Sequence, residues 1–264
     1  MKHCTILLYH TLVKPGDFIG SQYCTAPEDF RAHMRLLREG GYSPVPLSDL
    51  VAAMEGRGTL PENPVVVTFD DGYACNLEHG LPAMQEFDIP ATIFMVAGRI
   101  SGRNEWQILE GCPARRMLNP TELRTLSDAG IDIGSHTMLH CFLGGAEPAT
   151  VRVEVGDSKA RIEDIIGRPV RHFAYPYGSI SDYAREAVQA AGYVAACSTI
   201  QGKNRLDTDR FRLRRIELRG YDTPWSFRQR LRFGVSPDSQ GLRQLAKRTL
   251  TRVGMIKPSM ESFS

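Results

Sequence analysis

No apolar run in this chain approaches the ~20 residues that a membrane-spanning helix needs. The opening residues, M-K-H-C-T-I-L-L-Y-H, carry too short an apolar run and no small-residue cleavage site for a signal peptide. The six cysteines (Cys4, Cys24, Cys75, Cys112, Cys141, Cys197) lie far apart with no C-x-x-C spacing, and several sit in apolar runs where a thiol behaves as a small hydrophobe. A reduced compartment fits them, and the expectation is a soluble cytoplasmic protein. Strong charge is missing too. The net charge is +2 with a pI near 8.2, which argues against a bulk nucleic-acid binder. There are no heptads, long-period repeats or low-complexity tracts.

What is present is enough apolar residue, 42% of 264, to bury a full core in one large α/β barrel or two small domains. The near-neutral average hides an asymmetry. Residues 203–264 hold 15 basic and 6 acidic residues, against 17 and 24 in the first 202. Within 242–256, apolar Leu242, Leu245, Ala246, Leu250 and Val253 follow helical spacing with Arg243, Lys247, Arg248 and Arg252 between them. Such a helix packs on the body of a protein or rests its basic face on anionic lipid at the inner side of a membrane.

Strand and helix patterns alternate along the chain. Strands are expected at 5–9, 65–69, 91–96, 131–134, 170–174, 193–198 and 211–218, the last alternating with arginines. Helices are expected from a Thr25/Glu28 capping box to Gly40, from a Ser48 cap to Met54, over 77–87, from Asn119-Pro120 to Gly130, over 149–166, and from a Ser181 cap to Ala191. Residues 98–118 read as an irregular segment. This order gives a parallel sheet, and one regularity favours a closed barrel. His10, Asp70, Asp71, His136 and Tyr177 each follow an apolar strand, and the C-terminal strand ends form the active face of (β/α) barrels.

Asp70 and Asp71 arrive side by side where V-V-V-T-F ends, with Gly72 free to turn. Asp-Gly is ordinary turn chemistry, yet neighbouring side chains at a strand end point in different directions and can take different partners. His136 and His140, separated by three residues just past another strand, can converge from a loop or one helical turn. With a carboxylate from a different strand end they make a two-His, one-carboxylate set that leaves positions open for water.

T-F-D-D-G (68–72), S-H-T-x-x-H (135–140) and F-A-Y-P-Y-G (173–178) together resemble the first three motifs of the polysaccharide deacetylase family, the NodB-homology carbohydrate esterases. The resemblance covers roughly residues 4–218 and is nearest the branch containing poly-N-acetylglucosamine deacetylases. It implies an α/β fold, a distorted (β/α)7 barrel over residues 1–220, here followed by a basic helical extension over 221–264. It also implies a divalent metal, zinc first and cobalt, nickel or iron as alternatives. Asp71, His136 and His140 would be the metal ligands and Asp70 the general base. The backbone N–H at Tyr177 would stabilise the oxyanion. Most of the family carries its acid on a Leu-x-x-His-like strand near the C-terminus, which is missing here. I-L-L-Y-H (6–10) has that character, so a circular permutation is expected, with His10 as acid and Leu8 near the acetyl-methyl pocket. Trp106, on a loop over the mouth, is a candidate to stack on a sugar or to anchor the loop.

One departure stands out. The family's arginine two residues before the motif proline, which holds the base carboxylate, is replaced by Ala174. Arg171, Arg214 and Arg215 are the substitutes in view, although a solvated or surface-paired role is the commoner fate of each. His3, His33, His79 and His172 are read as structural. A glycosidase is disfavoured because its two carboxylates must flank the scissile bond about 5–9.5 Å apart. The reading is a metal-dependent N-deacetylase of an N-acetylated saccharide, polymeric, lipid-linked or nucleotide-linked. The alternative is a non-catalytic glycan-binding barrel. Oligomeric state is not legible.

Overall fold

Short β-branched and apolar runs separated by helical segments leave a parallel sheet little choice but to curl, and the computed structural model of the chain shows where it closes. The structure describes residues 3–235; the helix expected over 242–256 lies outside them. The strands are β1 (His3–Tyr9), β2 (Ser43–Pro44), β3 (Pro64–Phe69), β4 (Ala91–Met95), β5 (Asp132–Ser135), β6 (His172–Ala174), β7 (Ala195–Cys197), β8 (Asn204–Arg205) and β9 (Ile216–Glu217). The helices are α1 (Pro27–Glu39), α2 (Leu47–Met54), α3 (Leu81–Glu86), α4 (Glu105–Ile108), α5 (Pro120–Asp128), α6 (Pro148–Ile166), α7 (Asp182–Ala190) and α8 (Pro224–Phe233).

Strands β7-β6-β5-β4-β3-β1 lie in that order, all parallel. The segment 213–217 closes the ring. Leu213 bridges Cys197 in parallel at one end, while Ile216 and Glu217 of β9 pair with Leu7 and Leu8 at the other. The first strand is therefore next to the last, as a closed barrel demands. Short β8 adds an antiparallel edge at His3 and Cys4.

Alternation along each strand sorts the core into two layers. Leu7, Tyr9, Val65, Val67 and Phe69 face outward and pack under helices α1, α3 and α5. Cys4, Ile6, Val66, Phe94, Ala174, Ala195, Cys197 and Leu213 face the barrel interior, which Leu47, Leu50 and Val51 of α2 plug from below. The same parity turns Leu8, Thr68 and Asp70 inward above that plug. Helix α8 packs on α1, with Phe227 and Leu231 joining the outer core. Among the described residues, no helix is long and apolar enough to cross a membrane.

Local signals fared unevenly. Asn119 and Glu122 form a reciprocal capping box on α5, and the Ser181 hydroxyl caps α7. The Thr25 box and the Ser48 cap are absent: α1 starts after Ala26 and α2 after Pro46, neither with a side-chain cap. At α1 it is Pro27, with its preset φ, that fixes the first turn. The helix expected over 77–87 splits into a π-turn at Asn76–Gly80 followed by α3, and the strand expected over 211–218 is regular only at β9.

Arg230 of α8 is buried and donates through Nε to Asp222 Oδ1 at 2.8 Å, while Asp222 also accepts from Arg219 N and Ser226 Oγ. Removing one partner strands a buried charge. Asp222→Ala should cost about 3–5 kcal/mol in a urea titration, and adding Arg230→Met should recover most of it.

Candidate active site

Four backbone turns build the site, and each sits at the C-terminal end of a barrel strand. After β3 the chain turns at Asp71 (φ 75°) and Gly72 (φ 86°); after β5 it turns at Thr137 (φ 66°) and His140 (φ 62°); after β6 it turns at Tyr177 (φ 58°) and Gly178 (φ 69°). The left-handed region is costly for side-chain-bearing residues, and such strain clusters where function requires a particular direction. Glycine is favoured at 72 for a second reason, since a Cβ there would press on the Met95 side chain and crowd its Cα. The fourth turn, after β1, carries His10.

The turns after β3 and β5 bring Asp71, His136 and His140 together, all buried, with one ligand atom from each within 4.8 Å of the others. Nε2 of His136 and of His140 lie 3.6 and 3.3 Å from Asp71 Oδ1. His136 Nδ1 is 2.7 Å from the carbonyl of Ala174. A carbonyl only accepts, so Nδ1 carries the hydrogen and the Nε2 lone pair is turned on Asp71. Burial pushes His136 down to about 4 despite the nearby Asp70, so its imidazole is neutral at pH 7. Asp71 Oδ1 is buried without a hydrogen bond. Burial alone would raise this carboxyl; His140, His10 and His136 bring it well below the usual range.

This set fits a cation. A buried carboxylate with two imidazole nitrogens converging on one of its oxygens is the donor set of a divalent-metal site. The 3.3 and 3.6 Å separations also approximate the edge, about 3.3 Å, of a tetrahedron with metal bonds of about 2.0–2.1 Å. Zinc, cobalt, nickel and iron all accept such an N,N,O set.

Asp70 turns the other way, into the barrel, and meets Arg215. Nη1 donates to Oδ1 at 2.6 Å and Nη2 to Oδ2 at 2.7 Å, while Nε donates to Ser198 O at 2.9 Å. Both side chains are buried. The guanidinium also lies over Phe94, 5.7 Å from its centroid. Burial would raise the Asp70 carboxyl, but Arg215 foremost, with His136 and His10, holds it below its ordinary 3.8. Asp70 Oδ2 remains 3.9 Å from His136 Nε2, at the edge of the ligand set. Arg215 thus does what Ala174 cannot. Arg171 is exposed and Arg214 only part-buried. The alternating pattern of 211–218 had suggested a solvated arginine, and no local signal separates that from a barrel-lining one.

His10 follows β1 with its Nδ1 buried and unpartnered and its ring 5.2 Å from Tyr23. It acts electrostatically on both aspartates. Leu8 is buried two residues earlier on the inward face. Trp106, on α4, stacks on His140 at 4.6 Å and 16°, so one ring face is taken by the imidazole. Tyr177 meets the same imidazole edge-on at 4.6 Å and is 49% exposed. Two of the histidines read as structural have side-chain partners. His172 bonds Asp132 at 2.7 Å, and His33 bonds Tyr9 Oη at 3.1 Å. Glu154 went unnoticed in the sequence, although Val151, Glu154, Val155, Ser158 and Ile162 trace one buried face of α6, where a carboxylate is out of place. Its Oε2 accepts from Met138 N and Leu139 N, both at 2.9 Å.

Known proteins resemble this chain in sequence and in fold. A model of the family described as polysaccharide deacetylase matches residues 57–196, more than half of the chain. The poly-β-1,6-N-acetyl-D-glucosamine N-deacetylase of Staphylococcus epidermidis is 24% identical over 230 residues, covering 80% of this chain and 77% of that protein. YxkH of Bacillus subtilis, named as a polysaccharide deacetylase, is 25% identical over 213 residues, 81% of this chain and 70% of that one. Among solved structures, IcaB from Ammonifex degensii superposes with a TM-score of 0.73 at 21% identity over 89% of this chain and 97% of that one. The Streptococcus pyogenes deacetylase PplD, in complex with acetate, gives 0.73 at 20% over 86% and 97%. At these identities the two structures speak for the fold.

The Arg215–Asp70 pair carries a pH signature. A carboxyl depressed by folding contributes stability above its unfolded value, and that contribution is lost as pH falls through the lower folded one. Arg215→Met should therefore cost about 3–5 kcal/mol at pH 7. The deficit should shrink in urea titrations repeated toward pH 4, where the unpaired Asp70 takes up a proton.

Proposed function

The chain belongs to the polysaccharide deacetylase family, and from that premise we propose that it is a metal-dependent hydrolase removing acetyl groups from an N-acetylated saccharide. The observation that carries this is the convergence of Asp71, His136 and His140 beside a second aspartate that Arg215 keeps ionised and aimed.

Asp71 and the two Nε2 atoms would hold the metal, with zinc first and cobalt, nickel or iron as alternatives. Bound there, a divalent cation supplies Lewis acidity, making a water easier to deprotonate and an acetamide carbonyl easier to attack. Asp70 accepts the proton of the attacking water, and its bidentate partner keeps it from rotating away. The backbone N–H of Tyr177 donates to the oxyanion that the acetyl carbonyl oxygen becomes as water adds to its carbon. His10 then protonates the sugar nitrogen as the C–N bond breaks, giving acetate and an amine. Leu8, facing inward from the same strand, offers an apolar wall to the acetyl methyl. Trp106 steadies His140 by stacking and borders the path of the sugar.

His10 reaches the site from the first strand, which adjoins 216–217 in the closed ring. Moving a strand from one terminus to the other changes connectivity and not the site, and this supports a circularly permuted barrel. The substrate is read as an N-acetylglucosamine-type polymer, in line with the relatives named for one, or a lipid- or nucleotide-linked saccharide. We place the protein in the cytoplasm, with peripheral contact to the inner face of the membrane through its basic C-terminal residues.

The test is elemental analysis of the purified protein together with acetate release from a panel of N-acetyl sugars. A chelator should abolish release and zinc or cobalt restore it. Asp70→Asn should retain metal and lose about 10²–10⁴-fold in rate, and His10→Ala should lose a comparable factor at high pH, where an external acid is scarce. Full activity of Asp70→Asn, or of His10→Ala at every pH, would remove the role assigned to that residue; metal-loaded protein inert on every sugar would favour a glycan-binding barrel.

A further inference from the structure

The loop from His136 to His140 holds two ligands through a strained backbone, with Thr137 and His140 both left-handed. Its polar groups are secured on two sides. The carbonyls of Thr137 and Met138 accept from Ala97 N at 2.9 Å and Gly98 N at 2.8 Å, from the turn after β4. The amides of Met138 and Leu139 point the other way and converge on a single oxygen, Glu154 Oε2. Glu154 reaches the loop from the middle of α6, is 4% exposed, and among the described residues no lysine or arginine ion-pairs with it. A buried carboxylate costs free energy unless its oxygens are used. The use visible here is to hold two consecutive amides between the two ligands.

We propose that Glu154 is a positioning residue for the metal: by clamping the Met138 and Leu139 amides it sets the spacing of the His136 and His140 nitrogens before any cation arrives. This rests on the reading of Asp71, His136 and His140 as ligands. Outer groups that orient ligands commonly change metal affinity by about 10–100-fold when removed. Glu154 does so through the main chain, so its loss should loosen both ligands at once while leaving their side chains intact.

The experiment uses the full chain, stripped of metal, as wild type, Glu154→Ala, Glu154→Gln and Asp71→Ala. Cobalt affinity is measured by chelator competition, the cobalt visible band is recorded, and amide exchange at Met138 and Leu139 is followed in the metal-free protein. Glu154→Ala should bind cobalt about 10–100-fold more weakly with an altered band, and both amides should lose protection even without metal. Glu154→Gln keeps an acceptor oxygen and should stay within about fivefold of wild type. A folded Glu154→Ala protein with wild-type affinity, band and protection overturns the proposal. If that variant does not fold, Glu154→Asp, one methylene short of the loop, is judged by the same two outcomes. Should wild type and Asp71→Ala bind cobalt alike, the ligand reading itself has failed. Exchange at Met138 and Leu139 then decides the clamp separately, with lost protection supporting it and unchanged protection overturning it.

Discussion

A guanidinium and a carboxylate buried inside a barrel make the constraint on which the rest of this site depends. Arg215 and Asp70 are both removed from water; Asp70 could not remain charged there alone, and the guanidinium, which cannot shed its proton, would be a stranded charge. Each is the other's justification. The pair joins β3 to the segment 213–217, which completes the ring between β7 and β1. Closing the barrel and aiming the proposed base are thus one structural event. Isolated Asp70 would take up a proton in so dry a place, and a protonated carboxyl cannot accept the next one.

The neighbouring Asp71 shows the complementary arrangement. It shares the strand end and the burial, yet its Oδ1 is matched by imidazole nitrogens and by no hydrogen-bond donor. Two adjacent residues of one type are given opposite tasks by direction alone: one faces an arginine inside the barrel, the other a pair of histidines at its mouth. Left-handed turns at Asp71, Thr137, His140 and Tyr177 supply those directions. The strain is offset by bonds from the surrounding frame, including the carbonyl of Ala174 on His136 and the carboxylate of Glu154 on the ligand loop.

Much of this was legible in the sequence because the informative residues are local. Asp-Asp-Gly, His-x-x-x-His and Tyr-Pro-Tyr-Gly each sit within one turn, and each announces itself by following an apolar strand. The fold class was legible for the same reason. Arg215 was not. In a strand alternating apolar and arginine residues, the polar face reads as solvent, whereas in a closed barrel it can be the interior; the partner, Asp70, is 145 residues away. The Thr25 and Ser48 caps failed through competition at close range, with helices α1 and α2 starting one residue later and two residues earlier than those hydroxyls would set. Glu154 left a trace in the helical periodicity of α6, but its partners are main-chain amides, which no sequence pattern displays.

The most direct test of this account is the pH dependence of acetate release by metal-loaded wild type and Arg215→Lys. A lysine keeps the positive charge but gives up the two-point grip, so Asp70 should be both less well aimed and easier to protonate. The account predicts a lower plateau and an acidic limb displaced upward by about one pH unit or more. An Arg215→Lys enzyme with the wild-type plateau and acidic limb would contradict it.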